Sequence, residues 1–320
     1  MRIERAYCIE LKKVVDIIQA QEAFFTQMPP RSRLNFLCSD PDCWQVKVKV
    51  TGVAYDRLVE DTEKYVAPHF RENPRTPHLP NCEWVELEEA IQALQKEIDA
   101  EPESEESIRI RNLKATDWVD VFDPKFDADE DVNTVRDSIA VTNVRVKTAS
   151  KGERIRMIKQ ALRKSLTKSS FLQKVVSAYE QMDVVMRKTS VLEIVGVGKL
   201  RFSQAFKRVS WAAPQIMPRI FFGNATVRKY GNNFAITFFD KATWDGHEKR
   251  VSIYLTGERL STYRHRVHLI ELLESAEEKA HYAACYFFGN LIRAEKPGWL
   301  NAQIDHLDSL VVIVRSKQRK

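Results

Sequence analysis

Residues 219–257 read RIFFGNATVRKYGNNFAITFFDKATWDGHEKRVSIYLTG, and they contain three runs with the composition of β-strands. The runs, in which apolar or aromatic residues dominate or alternate with polar ones, lie at 219–230, 233–240 and 250–257. The pairs Gly231-Asn232 and Asp245-Gly246 stand between them, and such pairs favour the tight turns of β-hairpins. The segment therefore predicts three consecutive antiparallel strands.

The predicted order of elements continues beyond this segment. A helical pattern follows at His265–His281, and two further strand-like runs follow at Tyr282–Ile292 and Leu307–Arg315. Three strands, a helix and two strands over residues 216–315 resemble the oligonucleotide-binding (OB) barrel, a five-stranded, partly open Greek-key barrel. The resemblance implies binding of single-stranded nucleic acid. Another small barrel and an α+β sandwich are alternative interpretations. The sequence also leaves open whether the barrel is closed.

A group of cysteine and histidine residues lies upstream of the barrel-like region. The sequence reads FLCSDPDC at 36–43 and HLPNCEW at 78–84, and the first pair of cysteines spans an Asp-Pro-Asp turn. Two ligand pairs on tight turns supply the four soft or borderline ligands of a tetrahedral zinc site. We predict one structural zinc ion bound by Cys38, Cys43, His78 and Cys82. His69 is an alternative to His78 as the fourth ligand.

The region around these residues also contains an alternating strand pattern at Trp44–Val53 and then the pair His69-Phe70. A cysteine pair, a strand and a His-Phe element in this order resemble the zinc module of CoiA-like competence proteins and related mobile-element proteins, over residues 34–84. This chain continues with Arg71-Glu72 where that family has Ala-His. The resemblance implies a zinc module at the head of the protein and, for the family, nuclease activity.

Charges are unevenly distributed along the sequence. The net charge is +6, but residues 83–137 are mainly acidic and residues 145–228 mainly basic. Helical patterns at 152–166 and 169–187 lie in the basic block, and a dense basic face attracts phosphate. The residues predicted to contact nucleic acid are Arg154, Arg156, Lys159, Arg163, Lys164 and Lys168 on or beside these helices, and Arg228, Lys229 and Tyr230 at a hairpin tip.

The length of 320 residues favours several domains. We predict an α+β protein with a small N-terminal zinc-binding module, a central helical segment and a C-terminal OB-like β-barrel. The predicted boundaries are 1–98 for the zinc-binding domain, 99–150 for an acidic linker and connecting segment, 151–190 for the basic helical segment and 191–320 for the barrel. Residues 99–107 are expected to be flexible, because they are acidic and poor in apolar residues.

Motifs of common enzyme classes do not occur: the sequence has no G-x-x-x-x-G-K-[ST] loop, no G-x-S-x-G elbow and no H-E-x-x-H helix. It also has no apolar run of roughly eighteen residues and no signal-peptide pattern, so a cytoplasmic protein with reduced cysteines is expected. The favoured function is a zinc-containing accessory protein that binds nucleic acid, preferentially single strands. The alternatives are a protein-interaction subunit of a larger complex and a nuclease of a bacterial defence or mobile-element system.

Overall fold

The structure is a computed structural model that describes residues 1, 3–61, 65–98, 104–112, 118–125, 149–164, 167–213 and 217–317. Within them, helices and strands alternate along the chain, and the strands form three sheets. The predicted mixture of helix and strand is therefore confirmed. The acidic positions at 127–131, which the sequence places in the connecting segment, lie outside the described residues.

A five-stranded sheet and two short helices form the N-terminal region. Its elements are β1 (Arg5–Cys8), β2 (Lys13–Asp16), α1 (Ile17–Thr26), β3 (Phe36–Cys38), α2 (Pro41–Gln45), β4 (Lys49–Val53), β5 (Val59–Glu60) and β6 (His69–Glu72). The sheet has the order β2-β1-β3-β4-β6 with antiparallel neighbours, whereas β5 joins another sheet. Asp16 starts α1 through a capping box with Gln19.

The strand predicted at 44–53 is wrong in its first half. Helix α2 extends to Gln45, and β4 begins only at Lys49. The side chain of Asp40 caps α2 and Pro41 occupies its first turn, which is where proline fits a helix. These capping contacts outweigh the alternation of valines that indicated a strand.

The central region contains six helices and a four-stranded sheet among the described residues. The elements are α3 (Glu83–Ile98), α4 (Glu105–Asn112), β7 (Val121–Phe122), α5 (Lys151–Lys164), β8 (Lys168–Ser169), α6 (Leu172–Gln181), α7 (Val184–Thr189), β9 (Val191–Ile194), β10 (Gly198–Arg201) and α8 (Phe202–Ala205). The sheet order is β10-β9-β7-β8. Helix α5 packs against α3, and α4 contacts both.

Two sequence-based expectations need correction in this region. Residues 105–107, predicted as flexible linker, belong to helix α4, and the Ser107 side chain is buried there. The single helix predicted at 169–187 is two helices, α6 and α7. Asp183 separates them because its side chain accepts a hydrogen bond from the backbone N–H of Met186 and so begins a new helix.

The C-terminal region contains a closed five-stranded barrel. The elements are β11 (Phe206–Arg208), a 3-10 turn (Val209–Trp211), β12 (Arg219–Tyr230), β13 (Asn233–Trp244), β14 (His247–Leu255), α9 (Gly257–Ser261), α10 (Arg266–Glu277), β15 (His281–Arg293), β16 (Trp299–Gln303), a second 3-10 turn (Leu307–Ser309) and β17 (Leu310–Ser316). Strands β12, β13 and β14 form an antiparallel meander. Strand β14 pairs in parallel with β16, β16 pairs with β15, and β15 pairs back with β12, which closes the ring.

The fifth strand of the ring is not the one that the sequence predicted. The predicted strand at 307–315 forms β17, which pairs with the first half of β15 outside the ring and carries β5 on its far side. The second half of β15 pairs with β16 instead. Strand β16 has only five residues and no clear alternation, so its pairing depends on the long, shared partner β15.

Two clusters of buried side chains hold the molecule together. One fills the barrel, where Phe221 and Phe287 stack with ring centroids 5.3 Å apart. The other runs through the rest of the chain, from Ile3 in the N-terminal region to Ile313 in β17. It covers the outer side of the wall formed by β12 and β15, so this wall is buried on both faces. The domain boundaries drawn from the sequence stay a prediction.

No helix in the described part of the chain combines the length and the apolar character needed to cross a membrane.

Candidate metal centre and barrel surface

The first pair of cysteines lies on the turn between β3 and α2. Cys38 is the last residue of β3, and Cys43 lies in α2. The carboxylate of Asp40 accepts hydrogen bonds from the backbone N–H groups of Asp42 and Cys43, both at 3.1 Å. The backbone N–H of Asp40 in turn points to the sulfur of Cys38 at 3.4 Å. The capped turn thus holds the thiols of Cys38 and Cys43 close to each other.

The second pair of candidate ligands, His78 and Cys82, lies immediately before α3. A turn brings the backbone N–H of Cys82 to the carbonyl of Leu79 at 3.0 Å, and the backbone N–H of Leu79 points to the sulfur of Cys43 at 3.3 Å. The Nδ1 atom of His78 lies 3.3 Å from the sulfur of Cys82. A backbone-to-sulfur contact therefore joins the two turns without the help of a metal ion.

The four predicted ligand residues come together as a single group. One ligand atom from each of Cys38, Cys43, His78 and Cys82 lies within 4.8 Å of all the others, and the three cysteines are buried. The sulfurs of Cys38 and Cys82 are 3.7 Å apart, and no cysteine forms a disulfide. Zinc-to-sulfur bonds of about 2.3 Å in a tetrahedron place two sulfurs about 3.8 Å apart. The spacing of these thiols therefore fits a tetrahedral metal ion.

The protonation states of the thiols differ across the group. A hydrogen bond with Cys82 and burial raise the pKa of Cys38, and burial raises the pKa of Cys43 to about 12. The donated thiol hydrogen bond from Cys38 lowers the pKa of Cys82 to about 5, and His78 supports this shift. Without a metal, these shifts favour ionisation of Cys82 before Cys38 and Cys43. A metal ion must displace both thiol protons to gain all three sulfur ligands.

A shell of hydrogen bonds joins the two halves of the group. The second carboxylate oxygen of Asp40 accepts a hydrogen bond from the backbone N–H of Glu83, at 3.2 Å, at the start of α3. The indole N–H of Trp84 donates to the hydroxyl of Ser39 at 3.0 Å, and this hydroxyl donates to the Glu83 carboxylate at 2.9 Å. Trp84 is fully buried. These contacts fix the orientation of α3 relative to the cysteine turn.

His69, the alternative fourth ligand, lies outside this group. It begins β6, and its Nδ1 atom lies 2.8 Å from the carbonyl oxygen of Ala67. His78 occupies the fourth corner instead, with a buried Nε2 atom that has no hydrogen-bond partner among the described residues. Among the residues that the structure describes, no other cluster of three or more metal-binding side chains occurs.

Most of the basic residues predicted to contact nucleic acid have acidic partners within the chain. Arg154 forms a two-pronged contact with Glu86 at 2.6 and 3.1 Å. Lys159 and Arg163 both contact Glu97 of α3. The remaining ion pairs of this kind are Lys168 with Asp123, at 2.8 Å, and Lys229 with Glu274, at 2.6 Å. The acidic and basic blocks of the sequence are therefore paired with each other at the contact between α3 and α5.

Among the described residues, Arg156, Arg228 and Tyr230 form no ion pair of this kind. Arg156 and Arg228 are exposed, and Tyr230 is exposed at the end of β12. The side chain of Lys164 lies outside the described part of the structure. Tyr230 and Arg228 are close in sequence to the turn between β12 and β13, as the sequence predicted.

The barrel has a second exposed surface for which the sequence shows no local pattern. Register places Arg250 of β14 directly opposite Lys241 on one side and Trp299 on the other. The Arg250 guanidinium lies 5.5 Å from the centre of the Trp299 ring, and the Lys296 ammonium lies 5.0 Å from it. Tyr254, four residues further along β14, is 50% exposed. The pairing of β14 with β16 creates this surface, and that pairing had no signal in the sequence.

Comparison with family models, with curated proteins and with solved structures finds no match to this chain.

Proposed function

We propose that this chain is a zinc-stabilised protein that binds single-stranded nucleic acid on the outer face of its barrel. The observation that carries the proposal is the row of exposed cationic and aromatic side chains that crosses three strands of the barrel wall. Proteins that bind single strands without sequence preference combine such cations with aromatic rings on which bases stack.

Zinc is the metal that the ligand set favours. Three thiolates and one imidazole are typical of structural zinc, and soft sulfur ligands disfavour magnesium or calcium. All four positions are supplied by the protein, and the cysteines are buried, so the tetrahedron offers no open position for a substrate. The proposed role of the metal is therefore to stabilise the N-terminal region rather than to take part in catalysis.

The barrel face has the arrangement that base stacking requires. Residues directly opposite each other on neighbouring strands share one face of a sheet. One row consists of Lys241, Arg250 and Trp299, and the next consists of Thr237, Ser252 and Asn301. The hydroxyl of Ser252 donates to the Asn301 amide oxygen at 3.1 Å, which leaves polar groups at the centre of the face. Cations and rings at its rim would hold phosphates and bases respectively.

The topology of the barrel supports an OB-like interpretation. A three-stranded meander, a helical connection and a return strand pair that closes the ring are the elements of that Greek-key barrel. Its known binding face is formed by the second and third strands and by the loops beside them. In this chain those strands are β13 and β14. Arg250 and Tyr254 of β14 are exposed, whereas Lys241 of β13 is paired with Glu248 at 2.6 Å, so Arg250 is the main cation of this face. We therefore propose that the main contact surface for nucleic acid lies on the barrel and not on the basic helix α5.

The experiment is a binding titration with labelled single-stranded and duplex DNA and RNA at several salt concentrations. We expect binding to single strands with a steep salt dependence. Replacement of Tyr254 by alanine is expected to weaken binding by roughly 1–3 kcal/mol without changing the salt slope, because it removes stacking. Replacement of Arg250 by alanine is expected to reduce the slope by about 0.7, because it removes one phosphate contact. Tyr254→Phe is the matched control, since it keeps the ring.

The same titration also distinguishes the competing functions. If the wild-type chain binds none of the four nucleic acids at low salt, the proposal fails and the protein-interaction subunit becomes the leading function. If it degrades nucleic acid when divalent metal is added, the nuclease alternative replaces an accessory role. Elemental analysis of protein never exposed to chelator tests the zinc assignment separately, with one zinc ion per chain expected and none in the variant Cys38→Ser.

A further inference from the structure

We infer that the outer face of the N-terminal sheet, beside the metal centre, is a second contact surface for single-stranded nucleic acid. The inference rests on the proposed function, but it concerns a different part of the molecule. Its central feature is the side chain of Trp44, which follows the metal-binding residue Cys43 directly and is 44% exposed.

The strand register defines this face. Val14, Tyr7, Leu37 and Lys49 lie directly opposite one another on β2, β1, β3 and β4, so their side chains share one side of the sheet. The opposite side holds residues of the buried core, among them Ala6 and Phe36. The first face is therefore the outer one.

Two aromatic rings form a platform on this face. The ring of Trp44 packs against the ring of Tyr7 with centroids 4.8 Å apart and planes inclined at 43°. Val14, which is opposite Tyr7, is also exposed. An exposed tryptophan held by a neighbouring ring has little side-chain freedom left to lose when a base stacks on it, and every base offers a face for stacking.

The charges around the platform suit a phosphate backbone. Lys47 and Lys49 flank the end of α2 and the start of β4, and both are exposed with no ion pair among the described residues. Arg71 of β6, opposite Thr51, is exposed on the next row of the same face. This differs from α5, where most of the described cations have acidic partners, so here positive charge is available to attract phosphate. The combination of uncompensated cations with an aromatic platform selects nucleic acid over an apolar protein surface.

The metal centre gives the platform its rigidity. Trp44 lies in the capped turn of α2, where its backbone N–H donates to the carbonyl of Asp40 at 2.8 Å. Asp40 and Cys43 belong to the metal group and its shell of hydrogen bonds. Metal binding therefore holds the backbone from which the Trp44 ring projects.

The test uses the full, zinc-loaded chain and a labelled oligo-dT strand long enough to reach both surfaces. Trp44→Ala is expected to weaken binding at least roughly five-fold, the lower end of the range for one lost stacking contact. The double variant Lys47→Ala with Lys49→Ala is expected to reduce the log–log salt slope by about 1.4, that is, by two phosphate contacts. Trp211→Ala and Lys199→Ala are the matched controls, since both side chains are exposed elsewhere on the chain.

The outcomes separate this inference from the proposed function. If the wild-type chain binds oligo-dT and the Tyr254 variant weakens it, while the Trp44 and lysine variants bind as the wild type does, the second surface is overturned and the barrel surface stands. If the wild-type chain does not bind at all, both fail. A dimer in solution that dissociates on Trp44→Ala, with unchanged affinity for oligo-dT, would assign the face to a second copy of the chain and overturn the inference. The lysine variant decides the matter if Trp44→Ala does not fold.

Discussion

At the scale of single residues, Asp40 organises the metal centre although it is not a ligand. Its carboxylate accepts three backbone hydrogen bonds, from Asp42, Cys43 and Glu83, and so connects the cysteine turn to the start of α3. The side chain is buried, so these hydrogen bonds compete little with water. Groups that orient metal ligands in this way strongly influence metal affinity.

Replacement of Asp40 by asparagine is therefore expected to weaken zinc binding by roughly 10–100-fold, because the amide keeps one acceptor but loses the other. Competition with a chromophoric chelator measures the affinity. Asp42→Asn is the matched control, since Asp42 is exposed and only its backbone N–H takes part. Equal affinities for the two variants would contradict the organising role of Asp40.

The thiols predict how zinc affinity depends on pH. In the metal-free chain the raised pKa of Cys38 and of Cys43 keeps both protonated at neutral pH, whereas the lowered pKa of Cys82 makes it a thiolate. Zinc binding near pH 8 is thus expected to release about two protons from the cysteines rather than three. The apparent affinity should accordingly increase with pH, because the release of these two protons becomes more favourable as the proton concentration falls.

Calorimetric titration of zinc in buffers with different heats of ionisation measures this proton release. The same titration at pH 7 is the comparison: about two protons are again expected, because Cys82 stays ionised and Cys38 and Cys43 stay protonated there. A release of three protons from the wild-type chain would show that Cys82 is protonated before metal binds.

At the scale of elements, the contact between α3 and α5 pairs part of the acidic block of the sequence with part of the basic block. Four ion pairs between described side chains lie along it, and they differ in exposure. The pair of Arg154 and Glu86 is mostly buried, with 19% and 6% of the side chains exposed, whereas the pair of Lys151 and Glu89 is 39% and 40% exposed. A buried charge that loses its partner costs far more than an exposed one.

Glu86→Gln is accordingly expected to destabilise the protein by about 3 kcal/mol, because it leaves the Arg154 guanidinium without its ionic partner. Glu89→Gln, the matched variant one turn away, is expected to cost less than about 1 kcal/mol. Urea unfolding of the two variants measures the difference. If Glu89→Gln lowers the free energy of unfolding as much as Glu86→Gln does, burial of the ion pair does not determine its contribution to stability.

At the scale of the whole molecule, one buried cluster connects the metal centre with the barrel wall. Cys38, Cys43 and Cys82 belong to the same cluster as Tyr286 and Phe288 of β15 and Ile313 of β17. In addition, β5 from the N-terminal region pairs with β17. Loss of structure around the metal is therefore expected to reach the outer side of the barrel.

Removal of zinc by a chelator is expected to speed up amide hydrogen exchange in β5 and β17 as well as around the cysteines, because binding free energy in such sites contributes to folding. The amides of β13 serve as the internal control, because the buried side chains of this strand belong to the cluster inside the barrel. Their exchange is expected to change less. Unchanged exchange in β17 after complete zinc removal would indicate that the N-terminal region unfolds without affecting the barrel sheet.

Local sequence patterns determined those features whose residues are neighbours along the chain. The grouping of Cys38, Cys43, His78 and Cys82 was predictable because each pair lies on one short turn, so spacing alone limits the geometry. The meander β12–β13–β14 was predictable because tight turns join strands of alternating character. The exposed tip at Tyr230 followed from the same turn chemistry.

Tertiary packing sets which distant segments of the chain pair with each other. Strand β16 closes the barrel with five residues of weak pattern, because the long strand β15 and the parallel neighbour β14 supply its hydrogen bonds. The cations of α5 look like a phosphate-binding face in the sequence, yet α3 neutralises most of those that the structure describes, since packing brings the acidic helix alongside. Trp44 belongs to a helix rather than a strand because the Asp40 carboxylate, itself held by the start of α3, caps that turn. In each case a contact between residues far apart in sequence outweighs the local preference, and such contacts leave no periodic signal along the chain.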